Sequence, residues 1–290
     1  MKIAILGALG FLGRNLTHSL TMQGHEITGF VLHTPVVQPS GFLCRSVSSL
    51  GERNASSADR FDVVINLAAR RSTKSNPLTD SKVKEFTFDL PKDFILRASS
   101  SGTLVVNAST YIQNFEGQDG KTVDSYGAAK QQLSRFLVEE SEAHGFRTLD
   151  LYLFTVYGPG DKPTHLVPSL ISAAKKGEGI SLSPGNQLMN LIYIDDVVRN
   201  FSMTLSTKDE FFYRRHFMWS EEYISVRNLV ESIEAIGKVE IDCLWGERPY
   251  AGHEMFKPWH IPMTQMPGFE ARVTLEEGLK ELWSLAQPNY

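Results

Sequence analysis

KIAILGALGFLG, at residues 2–13, sets the fold of this chain. Residues 2–6 are a short apolar run that ends in glycine, as expected of a buried parallel strand. Residues 11–22 then carry leucines on one helical face, and residues 26–32 are apolar again. A strand, a glycine turn, a helix and a second strand within so short a stretch predict a βαβ unit.

Three glycines separate that strand from that helix. In a dinucleotide-binding turn the first permits the tight turn, the second lets backbone approach a pyrophosphate, and the third lets the helix pack on the strand. The helix N-terminus beside them favours negative charge. The pattern predicts a cofactor site at Gly7, Gly10, Phe11, Leu12 and Gly13. The alternative is a turn with only a packing role.

Further strands and helices alternate along the first half of the chain. Residues 62–69, 103–108 and 149–156 each read as a strand, and residues 126–143 as a helix with an apolar face. Residues 34–60 are Ser-rich and show no clear period. The alternation predicts an α/β fold, a Rossmann-type doubly wound parallel sheet.

After Gly158 the segments become irregular in pattern, and most of the prolines of the chain occur there. Residues 1–157 are therefore predicted to form a dinucleotide-binding Rossmann domain, and residues 158–290 mainly a smaller C-terminal substrate-binding domain. Residues 190–205 are predicted to rejoin the first domain, with Asp195 and Asp196 at the start of a helix.

The bulk composition is that of an ordinary globular protein. The 290 residues are 42% hydrophobic and carry a formal net charge of −4, which argues against a nucleic acid polymer or a membrane as partner. Cys44 and Cys243 form no disulfide framework and no metal-ligand spacing. We expect a cytoplasmic protein without a metal site.

The second strand helps to choose the cofactor. It ends at Val31-Leu32-His33-Thr34, without the acidic residue that would grip the ribose hydroxyls of NAD. A carboxylate there would repel a 2′-phosphate, so its absence favours NADP over NAD. His33 and Arg14 are candidate phosphate contacts, or else plain surface side chains.

Tyr126 and Lys130 lie four residues apart on one face of the predicted helix. The pKa of a free tyrosine is about 10, and bringing it to about 7 requires about 4 kcal/mol. An ammonium about 4 Å away, at an effective dielectric constant of about 20, supplies about that much. The pair predicts a proton-transfer centre in which Lys130 lowers the pKa of Tyr126. An amphipathic helix without chemistry is the alternative.

Polar and small residues follow two of the predicted strands. Ser109 and Thr110 emerge where ligands bind in doubly wound folds, at the carboxyl edge of the sheet. Either hydroxyl is a candidate to hydrogen-bond a reacting oxygen, unless both only cap a turn. Leu67, Ala68 and Ala69 form a small-residue turn that is predicted to line the cofactor.

Taken together, these motifs resemble the extended short-chain dehydrogenase/reductase family. The resemblance rests on GALGFLG, DVVINLAA, NAST, YGAAK, TVYGPGD and IYIDDVV, which follow in this order between residues 7 and 198. It implies a Rossmann domain, a bound NAD(P), a Ser/Thr–Tyr–Lys catalytic set and often a homodimer. It also implies Thr110 as the catalytic hydroxyl, with Ser109 in reserve, and cofactor contacts from Tyr126 and Lys130.

A narrower resemblance involves the C-terminal part of the chain. NAST-YIQ, YGPGD and PYAGHEM (residues 249–255) are similar to the CDP-abequose and CDP-paratose synthase group. That similarity implies an NADPH-dependent 4-ketoreductase acting on a CDP-linked deoxysugar. Thr155, Met189 and Ser46 replace an asparagine, an arginine and an acid that the family usually carries at these positions. The substrate contacts therefore cannot be copied from the family. The residues that we interpret as substrate contacts are Ser109, Thr110, Thr155, Lys162, His165 and Arg248.

Two other functions stay open, an NAD-dependent epimerase and a non-catalytic NADP sensor. An epimerase with permanently bound NAD would oxidise and re-reduce its own substrate. A dehydratase is disfavoured because Tyr111 and Ile112 stand where that activity usually needs an Asp-Glu pair. A non-catalytic NADP sensor has no need of Thr110, Tyr126 and Lys130.

Overall fold

The computed structural model describes residues 1–33, 35, 37–50, 60–71, 80–207, 209–261 and 263–286. Thr34, at the end of the second predicted strand, lies outside them. The chain divides into two compact units. Unit 1 consists of Met1–Leu153, Val198–Met218 and Ile261–Gly268, and unit 2 of Phe154–Val197, Trp219–His260 and Phe269–Tyr290.

Strands and helices alternate along most of the described chain. In chain order they are β1 (Lys2–Leu6), α1 (Phe11–Met22), β2 (Glu26–Val31), β3 (Leu43–Ser46), β4 (Val63–Asn66), α2 (Ser81–Lys84), α3 (Leu90–Ala98), β5 (Leu104–Thr110), α4 (Ser125–His144), β6 (Arg147–Leu153), β7 (Thr155–Tyr157), α5 (Leu166–Lys176), β8 (Ile180–Leu182), β9 (Leu188–Met189), β10 (Leu191–Tyr193), α6 (Ile194–Thr204), β11 (Tyr213–Met218), β12 (Ile224–Ser225), α7 (Val226–Gly237), β13 (Cys243–Trp245) and α8 (Leu275–Leu285).

The centre of unit 1 is a seven-stranded parallel sheet. Its strand order is β11-β6-β5-β4-β1-β2-β3, and every pair is parallel. The order reverses between β1 and β4, which creates a crevice at the carboxyl edge of the sheet. The predicted Rossmann-type α/β fold is confirmed.

Burial on both faces explains the apolar strands of this sheet. Ile3, Ala4 and Ile5 of β1 have no exposed surface, as expected when helices cover both faces of a parallel sheet. On one face Phe30 packs edge-on against Phe94 of α3, with ring centroids 5.0 Å apart. Leu133 of α4 is buried in the same core cluster.

The structure adds one strand to those predicted and divides another. The Ser-rich stretch at residues 34–60 contains strand β3, whose residues pair with β2; its short, mixed sequence gave no periodic signal. The single strand expected at residues 149–156 is two strands, since β6 ends at Leu153 and β7 starts at Thr155. Asp195 and Asp196 do lie in the first turn of α6, as predicted.

Unit 2 is built from three two-stranded sheets and the helices around them. The pairs are β7 with β10, β8 with β13 and β9 with β12. Tyr157 and Tyr193 meet edge to face, with centroids 5.4 Å apart. Gly278 of α8 lies directly on both rings, where a β-carbon would come within 2.4 Å of the Tyr157 hydroxyl. Among the helices described in either unit, none is long and apolar enough to cross a membrane.

Candidate active site

The glycine turn after β1 forms the first part of the candidate site. Gly7 has a φ of +87°, a left-handed conformation that favours glycine. A β-carbon on Gly13 would lie 2.1 Å from the Gly7 oxygen and 2.8 Å from the Ala8 carbonyl. Gly13 therefore lets α1 pack directly on the turn.

The N-terminus of α1 is open toward a ligand. Its N-cap residue is Gly10, no side chain caps it, and its first turn contains no acid. A β-carbon on Gly10 would meet only the Gly7 oxygen, at 3.2 Å, so the space over this residue is free of other close neighbours. The Gly10 N–H donates to the Gly7 oxygen at 3.0 Å, while the N–H groups of the first helical turn, at Phe11 and Leu12, and the helix dipole fit a pyrophosphate. Arg14 and His33 are exposed.

The turn after β4 lies against the glycine turn. A β-carbon on Gly7 would come within 3.1 Å of the Ala68 nitrogen and 3.2 Å of the Leu67 carbonyl carbon. The Ala68 N–H donates to Asn66 Oδ1 at 3.1 Å. Ala69, at the end of this turn, is exposed. The small side chains predicted to line the cofactor thus lie next to the glycine turn.

Lys130 is buried beneath this edge. It lies on α4, whose first turn is capped by the Asp124 carboxylate accepting from Gly127 N–H at 2.7 Å. Its side chain is 2% exposed, and its Nζ donates to the Ala108 oxygen at 2.6 Å and the Ala68 oxygen at 3.4 Å. Burial lowers the pKa of Lys130 from 10.5 to about 8, although the Asp150 carboxylate opposes the change.

Tyr126 lies one turn before Lys130 and is partly buried. Burial raises the pKa of its hydroxyl, and the cation of Arg71 opposes that rise. The Arg71 guanidinium lies over the Tyr126 ring, 4.9 Å from its centroid. Hydrogen bonds from Arg71 and Thr110 also favour the ionised phenol.

The expected lowering of the Tyr126 pKa by Lys130 is therefore wrong for this structure. The ammonium is occupied by the Ala108 and Ala68 carbonyls, and desolvation of the phenol outweighs the nearby positive charge. At neutral pH Tyr126 is a protonated phenol. Such a group can donate a proton but does not readily accept one.

The two hydroxyls at the end of β5 have different surroundings. Thr110 is bonded to Tyr126, and its Oγ1 also accepts from Ile112 N–H at 3.4 Å. Ser109 is buried, and its hydroxyl donates to Asp150 Oδ1 at 2.5 Å. Thr110, Tyr126 and Lys130 thus come together in unit 1, whereas the Ser109 hydroxyl is occupied inside the sheet layer.

The remaining candidate substrate residues belong to unit 2. Thr155 lies in β7. The Lys162 N–H and the His165 ring Nδ1 both bond Asp161 Oδ1 at 2.7 Å, which brings these two residues together. Arg248 is exposed, and its backbone N–H donates to the Leu182 oxygen at 3.1 Å.

The motif analysis missed two charged neighbours of Tyr126, Arg71 and Asp124. The sequence does indicate a positive charge near the site, because Arg70 and Arg71 directly follow the small-residue turn at the sheet edge. The described residues contain no group of three or more His, Cys, Asp or Glu side chains that would hold a metal ion. The arrangement as a whole offers an anion cradle, a phenolic proton donor and a buried ammonium.

Comparisons with known proteins agree with this geometry. The model of the NAD dependent epimerase/dehydratase family matches residues 3–217. CDP-abequose synthase of Salmonella muenchen is 24% identical over 298 residues, which cover 99% of this chain and 98% of that protein. CDP-abequose synthase of Yersinia pseudotuberculosis is 28% identical over 206 residues, 68% of this chain and 71% of that protein.

A solved structure supports the fold. MoeE5 in complex with UDP-glucose and NAD superimposes with a TM-score of 0.82, covering 98% of each chain at 21% identity. At this identity the likeness shows a shared fold. The family match spans the glycine turn, Thr110, Tyr126 and Lys130.

Proposed function

The chain belongs to the NAD dependent epimerase/dehydratase family, as its motifs predicted, and we propose that it reduces the 4-keto group of a nucleotide-linked deoxysugar with NADPH. The observation that carries the proposal is the group of Thr110, Tyr126 and Lys130 beside the glycine turn. Tyr126 is protonated at neutral pH, which suits it to finish a ketone reduction.

Each residue of the group has a proposed role. Tyr126 donates its proton to the oxygen of the ketone as that oxygen gains negative charge. Thr110 orients the carbonyl through its hydroxyl, and the Lys130 ammonium would hold the ribose of the nicotinamide, the other role that the family resemblance implies. The bound nicotinamide cofactor supplies the hydride.

The cofactor is proposed to be NADPH. Gly7, Gly10 and the first turn of α1 would hold the pyrophosphate. β2 is followed by Leu32 and His33 rather than by an acid, so no carboxylate at these positions repels a 2′-phosphate. Arg14 and His33 are exposed and are the proposed contacts of that phosphate.

The substrate is proposed to be CDP-linked. The relatives in Salmonella muenchen and Yersinia pseudotuberculosis carry the name CDP-abequose synthase, and the first is matched along almost its whole length. Thr155, Lys162, His165 and Arg248 are the proposed contacts of the sugar nucleotide. Lys162 and Arg248 offer positive charge to a diphosphate.

The reductase proposal has a direct test. We expect the purified chain to oxidise NADPH when CDP-4-keto-3,6-dideoxyglucose is added, with one alcohol formed per NADPH consumed. Loss of NADPH absorbance measures the first quantity, and NMR of the product the second. A panel of UDP- and dTDP-linked 4-keto sugars serves as the comparison for nucleotide preference. Failure to consume NADPH with every 4-keto sugar would reject the reductase.

Epimerisation is the second candidate function, favoured by the family to which the chain belongs and by the NAD bound in the MoeE5 structure. An epimerase keeps its cofactor through the whole reaction. Heating the purified chain and recording the absorbance of the supernatant separates the two functions. Released NAD, together with interconversion of a UDP-sugar without added cofactor, would favour the epimerase over the reductase.

Turnover is expected to fall as pH rises through about 8, because Lys130 loses its proton in that range. Below this pH the ammonium is present to hold the ribose, and above it the neutral amine would bind the ribose hydroxyls less strongly. A kcat profile from neutral to alkaline pH measures the effect. The matched control is Lys130→Arg, which stays charged and should lack this alkaline fall; an identical fall in that variant would assign it to another group.

We also propose that the chain forms a homodimer, as the family resemblance implies. Light scattering on the purified protein is expected to give twice the chain mass of 32.5 kDa. A mass of one chain at micromolar concentration would contradict the proposal.

A further inference from the structure

A row of buried polar residues crosses the sheet directly below the candidate active site. Asn66 on β4 pairs in register with Asn107 on β5, and Asn107 with Asp150 on β6. All three are fully buried. Side chains at one register level of neighbouring strands point to the same face of a sheet, so the three side chains form a continuous polar row across the buried sheet.

The hydrogen bonds of this row all point in one direction. The Ala68 N–H donates to Asn66 Oδ1 at 3.1 Å, and Asn66 Nδ2 donates to Asn107 Oδ1 at 2.7 Å. Asn107 Nδ2 then donates to Asp150 Oδ1 at 2.8 Å. Each amide therefore presents its oxygen toward Ala68 and its N–H toward the carboxylate. A chain with this polarity is strengthened by the charge at its end.

Asp150 is suited to end such a chain. Its Oδ1 accepts from Asn107 and also from Ser109 at 2.5 Å, and its Oδ2 accepts from Ser134 at 2.6 Å and Tyr213 at 2.8 Å. No Lys, Arg or His of the described chain forms an ion pair with it. Two donors on each oxygen fit an ionised carboxylate and offset part of the cost of burying its charge.

The row connects to the active site through both of Lys130's acceptors. The Ala108 carbonyl, which binds Nζ at 2.6 Å, lies between Asn107 and Ser109, and both of those side chains bond Asp150. The other acceptor is the oxygen of Ala68, whose N–H begins the chain. On α4, Ser134 lies one turn beyond Lys130 on the same helical face.

We propose that Asp150 is a positioning residue of the candidate active site, which anchors the Asn107–Asn66 chain under Ala68 and Ala108 and supplies the buried negative charge that keeps Lys130 an ammonium. The proposal rests on the role of Lys130 given above. Asp150 has no exposed surface and acts through the groups that it holds.

The other titratable groups around Lys130 do not replace this charge. Tyr126 is on the same helix, Tyr152 is on β6 and Tyr213 is on β11. Burial raises the pKa of all three phenols, so they are neutral at physiological pH. Within the described residues, Asp150 is the one group whose charge acts on the pKa of Lys130.

The test follows the protonation of Lys130 directly. NMR titration of the lysine ε-carbon signals in labelled wild-type protein, with the Lys130 signal assigned from Lys130→Arg, is expected to show a midpoint at about pH 8. In Asp150→Asn the midpoint should move lower by about one unit or more. The readout needs no substrate, so it stands even where the proposed reduction fails.

Two matched variants separate charge from structure. Asp93→Asn removes an exposed carboxylate paired with Arg97 on α3 and should leave the Lys130 titration unchanged. Ser134→Ala removes one donor from Asp150 but keeps its charge, so the midpoint should stay near 8. Circular dichroism checks that Asp150→Asn folds; the introduced amide allows this, because the Ser134 and Tyr213 hydroxyls can turn to accept its N–H.

The outcomes are distinct. A lower midpoint in Asp150→Asn alone, with kcat at neutral pH reduced and partly recovered at lower pH, supports the proposal. A midpoint in Asp150→Asn equal to that of wild type overturns it. If Asp150→Asn does not fold, Ser134→Ala decides: a midpoint near 8 supports control by charge, and a fall of a unit or more would show that packing governs Lys130.

Discussion

Tyr126→Phe is expected to lower kcat for ketone reduction by about 10²–10⁴-fold, the usual contribution of a positioned acid or base. The phenyl ring keeps the shape of the side chain and its stacking with Arg71, while the donated proton is lost. Affinity for NADPH should stay nearly unchanged, because the glycine turn and α1 are untouched. Stopped-flow kinetics measure kcat, and the change in NADPH fluorescence on titration with the protein measures cofactor binding.

The matched control for this variant is Tyr223→Phe. Tyr223 also has a pKa raised by burial, and its ring packs edge-on against Phe154 in unit 2, but it is not part of the Thr110–Tyr126–Lys130 group. Its kcat should remain near wild type. Near-normal turnover of Tyr126→Phe on the true substrate would remove Tyr126 from the mechanism.

Gly13→Ala is expected to destabilise unit 1 by about 3 kcal/mol or more, the upper part of the range for overpacking. The new methyl group would lie 2.1 Å from the Gly7 oxygen and 2.8 Å from the Ala8 carbonyl. These neighbours are backbone, so α1 itself must shift. Thermal unfolding should show a Tm lower by roughly 6–12 °C, and cofactor affinity should fall because the N-terminus of α1 moves.

Two other glycines make this prediction specific. A β-carbon on Gly10 has a single close neighbour, at 3.2 Å, so Gly10→Ala should fold with a near-normal Tm while its methyl group obstructs the pyrophosphate. Gly252→Ala meets no atom within 4 Å and should change neither stability nor binding. Equal Tm values for all three variants would contradict the packing role of Gly13.

Much of the fold followed from spacing alone. The glycines at positions 7, 10 and 13 predicted the βαβ unit because each has a steric requirement that other residues do not meet. Tyr126 and Lys130 were selected as candidate proton-transfer residues because an interval of four residues places their side chains on one helical face. Strand β3 was missed, since four residues of mixed polarity carry no measurable period.

The electrostatics of the site could not be read from the sequence. Which carbonyls Lys130 binds depends on how β4 and β5 end beside α4, and the Tyr126 pKa rises because tertiary packing buries its phenol. Ser109 and Thr110 are adjacent in sequence, yet one hydroxyl bonds Asp150 and the other bonds Tyr126. Asp150 itself stood in an apolar strand without any motif to mark it.

The three-segment construction of unit 1 has a consequence for synthesis. During translation β6 emerges long before β11, its neighbour in the sheet, because all of β7–β10 and α6 lie between them in the chain. Until residues 213–218 leave the ribosome, β6 has an unpaired edge of the kind that recruits other chains. Asp150 also lacks the Tyr213 hydroxyl during that interval. If Asp150 positions the proposed active site, that site is completed late, when β11 brings the Tyr213 hydroxyl to Asp150.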